Sequence, residues 1–403
     1  MLDETWEQFR YQEADLVGIT AFTATAPRAY EIARLYRSNG VPVVIGGIHA
    51  SMCVEEASRF ADCVVKGEAE TVWPTIIDDF ETGRLKANYC GDRVDLAGNP
   101  FPRHDLFNRG YMFASVQTSR GCPMDCSFCS VTAFNGRKYR RRPVREVLDE
   151  LSLISQKMVF FVDDNIIGYG EESRNSALEL FRGMVERKLD KWWFCQASLN
   201  FADDDNVLAW AARAGCKMVF LGLESEEEAT LAEVNKQLNL KRRVSAYAQA
   251  FQRIHRAGIA VLGAFIFGMD GDTPEKLESR AQYMIDNDLD VMQVTLLTPL
   301  PGTRLFDKLQ REGRIIYDEF PQDWNKYDMT QVVHRAENMS PAELSSAILQ
   351  CNRMLYSWPV ILRKACRTLI TTRNPMAAMF ALQSNINYRN VGLGQLKQLP
   401  ANV

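Results

Sequence analysis

The run Gly121-Cys122-Pro-Met-Asp-Cys126-Ser-Phe-Cys129 constrains this chain more than any other stretch. Gly121 and Pro123 break regular structure, so the thiols belong to a loop and not to a packed element. Three thiolates suit three irons of a cubane cluster and leave the fourth iron without a protein ligand. A cluster that only relays electrons takes four cysteines, and the next ones, Cys90 and Cys195, are distant in sequence. Zinc would equally ask for a fourth Cys or His at close spacing. The run therefore reads as an iron–sulfur site with one open corner: metal ligands Cys122, Cys126 and Cys129.

Around that loop, short apolar runs alternate with helical spacing, the rhythm of parallel sheets. Strands are predicted at 16–20, 41–45 and 62–65, each followed by a helix, forming a partial Rossmann-like domain over 1–83. Gly, Pro and polar residues then dominate, and 84–110 reads as a linker. From 111 to 315 six strand–helix units follow, with strands at 113–118, 158–162, 193–197, 218–223, 261–267 and 291–297. That is a partial TIM-type (βα)6 barrel. Residues 316–403 read as a helical C-terminal extension, in which Ser340-Pro-Ala-Glu343 has the form of a capping box. The fold class is α/β.

A chain of 403 residues, 46% of them apolar, can fill such cores. Its 47 basic and 51 acidic residues nearly balance, which argues against nucleic acid as the main partner. Ten cysteines and an N-terminus without the basic start of an export signal favour reduced thiols in the cytoplasm. No apolar run reaches the roughly 18 residues of a membrane span. Arg363, Lys364, Arg367 and Arg373 lie among apolar residues of the tail. They suit capping of the barrel or peripheral contact with anionic lipid.

The cysteine spacing, with Phe128 before the last thiol, resembles the signature of the radical S-adenosylmethionine (SAM) superfamily. The resemblance implies a 4Fe-4S cluster whose open iron chelates SAM, cleavage of SAM to a 5′-deoxyadenosyl radical, and a reducing partner such as flavodoxin or ferredoxin. Strand ends in such barrels carry the chemistry. Asp163, Asp164, Gln196, Ser198, Glu224 and Gly268 stand at those ends as candidate SAM-binding residues. Asp163-Asp164 occupy the place where many members have Gly-Gly-Glu. Glu224 looks like the ribose position, since carboxylate oxygens accept hydrogen bonds from vicinal hydroxyls; the adjoining Ser225 also suits a helix cap. Gly263–Gly268 resembles the segment lying against adenine and equally suits a core strand, and Thr298-Pro-Leu-Pro301 resembles a pocket wall or forms a plain turn. The basic run Arg137–Arg142 suits a solvated face or an anionic ligand.

Gly46-Gly47-Ile48-His49 and Lys66-Gly67-Glu68-Ala69-Glu70 resemble the later half of the cobalamin-binding domain joined to many radical SAM enzymes. The resemblance covers residues 14–82 and implies cobalamin as a third cofactor. The domain begins partway through its sheet, and no Asp-x-His-x-x-Gly supplies an axial histidine. The expected function is functionalisation of an unactivated carbon of a small-molecule or lipid substrate, with cobalamin-dependent C-methylation in a biosynthetic pathway as the leading form. The alternatives are cobalamin-independent oxidation, cyclisation or C–C bond formation, and a non-catalytic iron–sulfur protein for electron transfer or sensing.

Overall fold

The computed structural model describes residues 3–394. It divides into two compact units. One takes the chain through Asn108 with Ser127–Gly136 and Thr298–His334; the other takes Arg109–Cys126, Arg137–Leu297 and the chain from Arg335 onward.

The first unit is built on a parallel sheet in the order β1-β2-β3-β4: β1 (Val17–Thr20), β2 (Val43–Gly46), β3 (Cys63–Gly67) and β4 (Asn88–Gly91). The β-branched residues of β2 and β3 are buried, and the helix Ala26–Ser38 covers one face with Ala26, Ala29, Tyr30 and Ala33. The fourth strand lies inside the stretch expected as a linker. Its short Asn-Tyr-Cys-Gly sequence has too little apolar pattern to signal a strand, and pairing with β3 makes it one. Residues Thr298–His334 also differ from expectation, for they join this unit. Phe306, Leu309, Ile315, Trp324, Tyr327 and Val333 complete its core, and the Trp324 indole donates to Glu56 at 3.0 and 3.1 Å. An aromatic cluster of that size finds more burial there than a solvated helical tail offers.

The second unit is a six-stranded parallel sheet in the order β12-β11-β10-β9-β8-β5. Its strands are β5 (Phe113–Val116), β8 (Met158–Phe161), β9 (Trp192–Ala197), β10 (Cys216–Glu224), β11 (Ala260–Phe267) and β12 (Val291–Leu296), so all six expected strands are present. Short antiparallel strands β6 (Ser119–Arg120) and β7 (Arg140–Arg141) bracket the cysteine loop. β11 is buried along its whole length, which suits an interior parallel strand covered on both faces.

Three helices end the described chain: Pro341–Leu355, Trp358–Thr372 and Pro375–Gly394. The capping box is present, with Glu343 N–H donating to Ser340 Oγ at 3.2 Å and Ser340 N–H to Glu343 Oε2 at 2.8 Å. Ala377 and Ala381 of the last helix pack on Met218, Leu262 and Val291, all near the N-terminal ends of their strands. Asn385 Nδ2 donates to Asp290 O at 2.8 Å just before β12, and Tyr388 OH to Gln293 Oε1 at 2.6 Å. The extension thus caps the strand-entry end of the barrel and leaves the opposite end to the cysteine loop.

Candidate functional site

Thr118 ends the turn after β5, and its environment explains the start of the cysteine loop. Asp163, at the exit of β8, is 1% exposed and accepts from Thr118 N–H at 3.0 Å, Thr118 Oγ1 at 2.8 Å and the Ser119 hydroxyl. Burial pushes its carboxyl up, against the pull of these donors. A carboxylate so occupied ties the loop to the sheet.

Asp164 is half-buried beside Cys122, and burial, followed by the charge of Asp163, raises its carboxyl to about 6. Asn165 is 1% exposed; its Nδ2 lies 3.5 Å from Ser198 Oγ, while its Oδ1 is buried with no hydrogen-bond partner. Ser198, just past β9, shares a 2.9 Å hydrogen bond with the Tyr169 hydroxyl. Gln196 stands next to the last residue of β9, half-buried, and its main-chain carbonyl accepts from Ile166 N–H at 3.0 Å. At the exit of β10, Glu224 has φ +66°, in the left-handed region, after a register break between Gly222 and Glu224. That break turns its side chain to Lys236, whose Nζ donates to Glu224 Oε1 at 2.6 Å. Ser225 Oγ accepts from Glu227 N–H at 3.0 Å in a turn that precedes the helix Glu228–Glu233; the N-cap of that helix is Glu227, so Ser225 does not take the capping role expected as an alternative.

Lys236 is the residue that sequence reading misses. It sits twelve positions after Glu224 in a region with no motif, and the positive φ of Asn235 (+56°) swings it toward the mouth. Asn235 Nδ2 meanwhile donates to Asp125 O at 2.7 Å, holding the cysteine loop itself. The Lys236 ammonium is held well above the ordinary lysine range by Glu224 and Cys126 despite its burial. Tyr169 was equally unmarked.

Burial pushes both the Cys122 and Cys126 thiols up; Lys236 offsets part of this at each. All ten cysteines are free thiols, and Cys122, Cys126 and Cys129 are half-buried. Cys129 begins the short helix Ser130–Asn135 in the first unit, as its N-terminal flank. Among the described residues no three His, Cys, Asp or Glu side chains converge tightly enough to share a single ion. Three thiols with no fourth Cys or His at close spacing suit a cluster with one open iron better than zinc.

Gly268 (φ +94°) is engaged inside the protein: its N–H donates to Asp272 Oδ2 at 2.9 Å, and Asp272 pairs with Arg280, both side chains fully buried. Arg280 also reaches Glu226 at 2.8 Å and so locks the exits of β10 and β11 together. In the basic run, Arg142 bonds Glu150 and Gln117 O, and Arg141 Nη2 donates to Ile166 O at 2.9 Å. Those arginines brace the loop more than they form a solvated face. Thr303, following the proline turn, accepts from Phe306 N–H at 3.2 Å as a helix cap in the first unit.

In the first unit the strand exits carry glycine turns. Gly47 has φ +91°, and a Cβ there would meet Thr20 Oγ1 at 2.4 Å, so only glycine allows this approach of the β1 and β2 ends. His49 is fully buried, with Nε2 3.1 Å from the Tyr30 hydroxyl and 3.2 Å from Glu56 Oε1. It is an interior helix residue, already satisfied, and presents no nitrogen for an axial bond to cobalt. The strand-exit edge fits a nucleotide-like group, and a corrinoid there would have no ligand from His49.

Residues 116–284 match the family model of the radical SAM superfamily, and residues 2–77 that of the B12 binding domain. Two curated relatives come from Chlorobaculum tepidum. Bacteriochlorophyllide d C-8(2)-methyltransferase is 29% identical over 409 residues, covering 96% of this chain and 86% of the relative. Bacteriochlorophyllide d C-12(1)-methyltransferase is 30% identical over 363 residues, covering 87% and 76%. Among solved structures, the cobalamin-dependent S-adenosylmethionine radical enzyme OxsB, with aqua-cobalamin and S-adenosylmethionine bound, superposes with a TM-score of 0.69 at 16% identity; the match covers 95% of this chain and 64% of that one. With an open-cornered cysteine loop at the exit of a six-stranded parallel barrel, and a B12-type sheet in the same chain, this protein belongs to the radical SAM superfamily, among its enzymes that carry a B12-binding domain.

Proposed function

We propose that this enzyme methylates an unactivated carbon of a large apolar ring compound in a biosynthetic pathway. The observation that carries the reading is the buried polar cluster at the barrel exit: Asp164, Asn165, Ser198 and the Glu224–Lys236 pair beside Cys122 and Cys126. The substrate class is supported by the two methyltransferases of ring-containing pigments that the chain resembles along most of its length.

When bound, the cluster and SAM supply a 5′-deoxyadenosyl radical and cobalamin a transferable methyl group. Cys122, Cys126 and Cys129 would hold the cluster. The unpartnered Asn165 Oδ1 is an acceptor suited to an N–H of the SAM amino group, and the Asp164 carboxyl lies close to Cys122. Glu224 keeps one oxygen for a ribose hydroxyl while Lys236 fixes the other. Lys236 also places a cation next to the thiolates, which lowers the cost of gathering negative charge in a half-buried loop. Asp163 and Asn235 act through the loop and are positioning residues. The glycine turns at Gly46–Gly47 and at Gly67 would hold cobalamin at the strand-exit edge. Reduction of the cluster falls to a small electron-transfer protein such as flavodoxin or ferredoxin.

Anaerobic turnover of the reconstituted protein with bacteriochlorophyllide-type and other polycyclic substrates, with and without methylcobalamin, tests this reading. Methyl transfer yields S-adenosylhomocysteine together with 5′-deoxyadenosine and a product heavier by one methylene. Formation of 5′-deoxyadenosine alone, unaffected by cobalamin, would replace it with radical oxidation or cyclisation.

A further inference from the structure

The Trp358–Thr372 helix buries one face and leaves the other uncovered. Ile361, Lys364, Thr368 and Thr372 are buried, whereas Trp358, Leu362, Leu369 and Ile370 are 50, 54, 45 and 74% exposed. Trp358, Leu362, Cys366 and Ile370 recur every fourth residue, the spacing that keeps side chains on one helix face. Leu369 widens the stripe, and Arg363, Arg367 and Arg373 border it, all exposed. An apolar stripe of this kind, rimmed by one sign of charge, marks a contact surface.

The charge says what it contacts. Residues 344–403 contain seven Lys or Arg and no Asp or Glu, in a chain whose net charge is −4. Asp288 pairs with Arg367 and the Ile285 carbonyl accepts from Arg363, so neighbouring elements neutralise only part of the rim. A second copy docking by two-fold symmetry would set this arginine-rimmed face against itself and bring like charges together. An anionic bilayer supplies both an apolar layer and phosphates. We propose that the exposed face of the Trp358–Thr372 helix attaches the enzyme to an anionic lipid surface, lying in the headgroup plane. Among the described residues no helix is long and apolar enough to cross a membrane.

The helix also fixes the orientation. Thr368 Oγ1 donates to Asp290 Oδ1 at 2.6 Å and Asn374 Nδ2 to Gly258 O at 2.8 Å, both at the entries of β12 and β11. The cysteine loop follows the exit of β5, the opposite end of a parallel barrel. Attachment therefore turns the barrel mouth toward solution, and the surface acts as a tether and not as a portal for substrate. This inference is independent of the chemistry proposed above.

Sedimentation of the full chain with vesicles of phosphatidylcholine alone, or with an equal part of phosphatidylglycerol, tests it. Binding is expected to the anionic vesicles, weakened by salt. Leu362→Glu with Ile370→Glu should lower partitioning about tenfold or more, and Arg373→Gln about fivefold, in line with one surface cation at an anionic membrane. Brominated lipid should quench a tryptophan signal that disappears in Trp358→Phe. Equal or no binding to both vesicle types overturns the proposal. So does a wild-type dimer by light scattering that the double variant dissolves while vesicles are ignored. Should the double variant melt early, the salt dependence and Arg373→Gln decide.

Discussion

Replacing Lys236 by methionine isolates the feature on which the candidate site depends. The Nζ–Oε1 distance is 2.6 Å and the two side chains are 15% and 9% exposed, so neither charge is well hydrated. Removing one member of such a pair leaves a buried carboxylate uncompensated, at a cost of about 3–5 kcal/mol, whereas replacing both charges by neutral groups of similar volume is close to neutral. Lys236→Met should therefore lower the unfolding free energy of cluster-free protein in urea by a few kcal/mol, and Lys236→Met with Glu224→Gln should recover most of it. The folded lysine binds its proton more tightly than the unfolded one, so the pair's contribution is complete at neutral pH and declines only as pH rises above an ordinary lysine's 10.5. A cation is also lost beside Cys126, so alkylation of that thiol by iodoacetamide should need higher pH in the single variant. A single variant within about 0.5 kcal/mol of wild type, or a double variant no better than the single, would refute the reasoning.

Asp163→Ala leaves the buried Thr118 amide and two hydroxyls without their acceptor; it should destabilise by about 1–3 kcal/mol per orphaned group at most and reduce iron bound per chain on reconstitution, with Asp163→Asn intermediate. Lys364, 1% exposed, donates to Met284 O and Asn287 O at 3.0 and 2.7 Å, and burial lowers its ammonium to about 7. The native state thus sheds this proton before the unfolded chain does, so stability should rise with pH between about 7 and 10.5, by up to about 5 kcal/mol, and Lys364→Met should flatten that rise in urea titrations at stepped pH. Cobalt(II) cobalamin bound by the protein should show no histidine nitrogen coupling in its electron paramagnetic resonance spectrum. His49→Gln should leave that spectrum unchanged while lowering the melting temperature, because His49 bonds Tyr30 and Glu56.

The cluster loop was legible in the sequence because its chemistry is local: three thiols, their spacing and two helix-breaking neighbours lie within nine residues. The six barrel strands were legible for a related reason, since buried parallel strands are short apolar runs separated by helical spacing, and each run carries its own signal. Pairings that close over long sequence distances were not. Asp163 reaches back 45 positions to Thr118, β4 becomes a strand only through β3, and Trp324 finds Glu56 across 268 positions. Lys236 meets Glu224 only because a bulge and two left-handed backbone turns aim them at each other. Composition and periodicity report what each segment can bury or bind. Only the tertiary structure decides which distant group satisfies it, because that choice belongs to the packed whole, and it is why Asp163 and Gly268 brace the barrel mouth while Asn165 Oδ1 is left with an acceptor to offer.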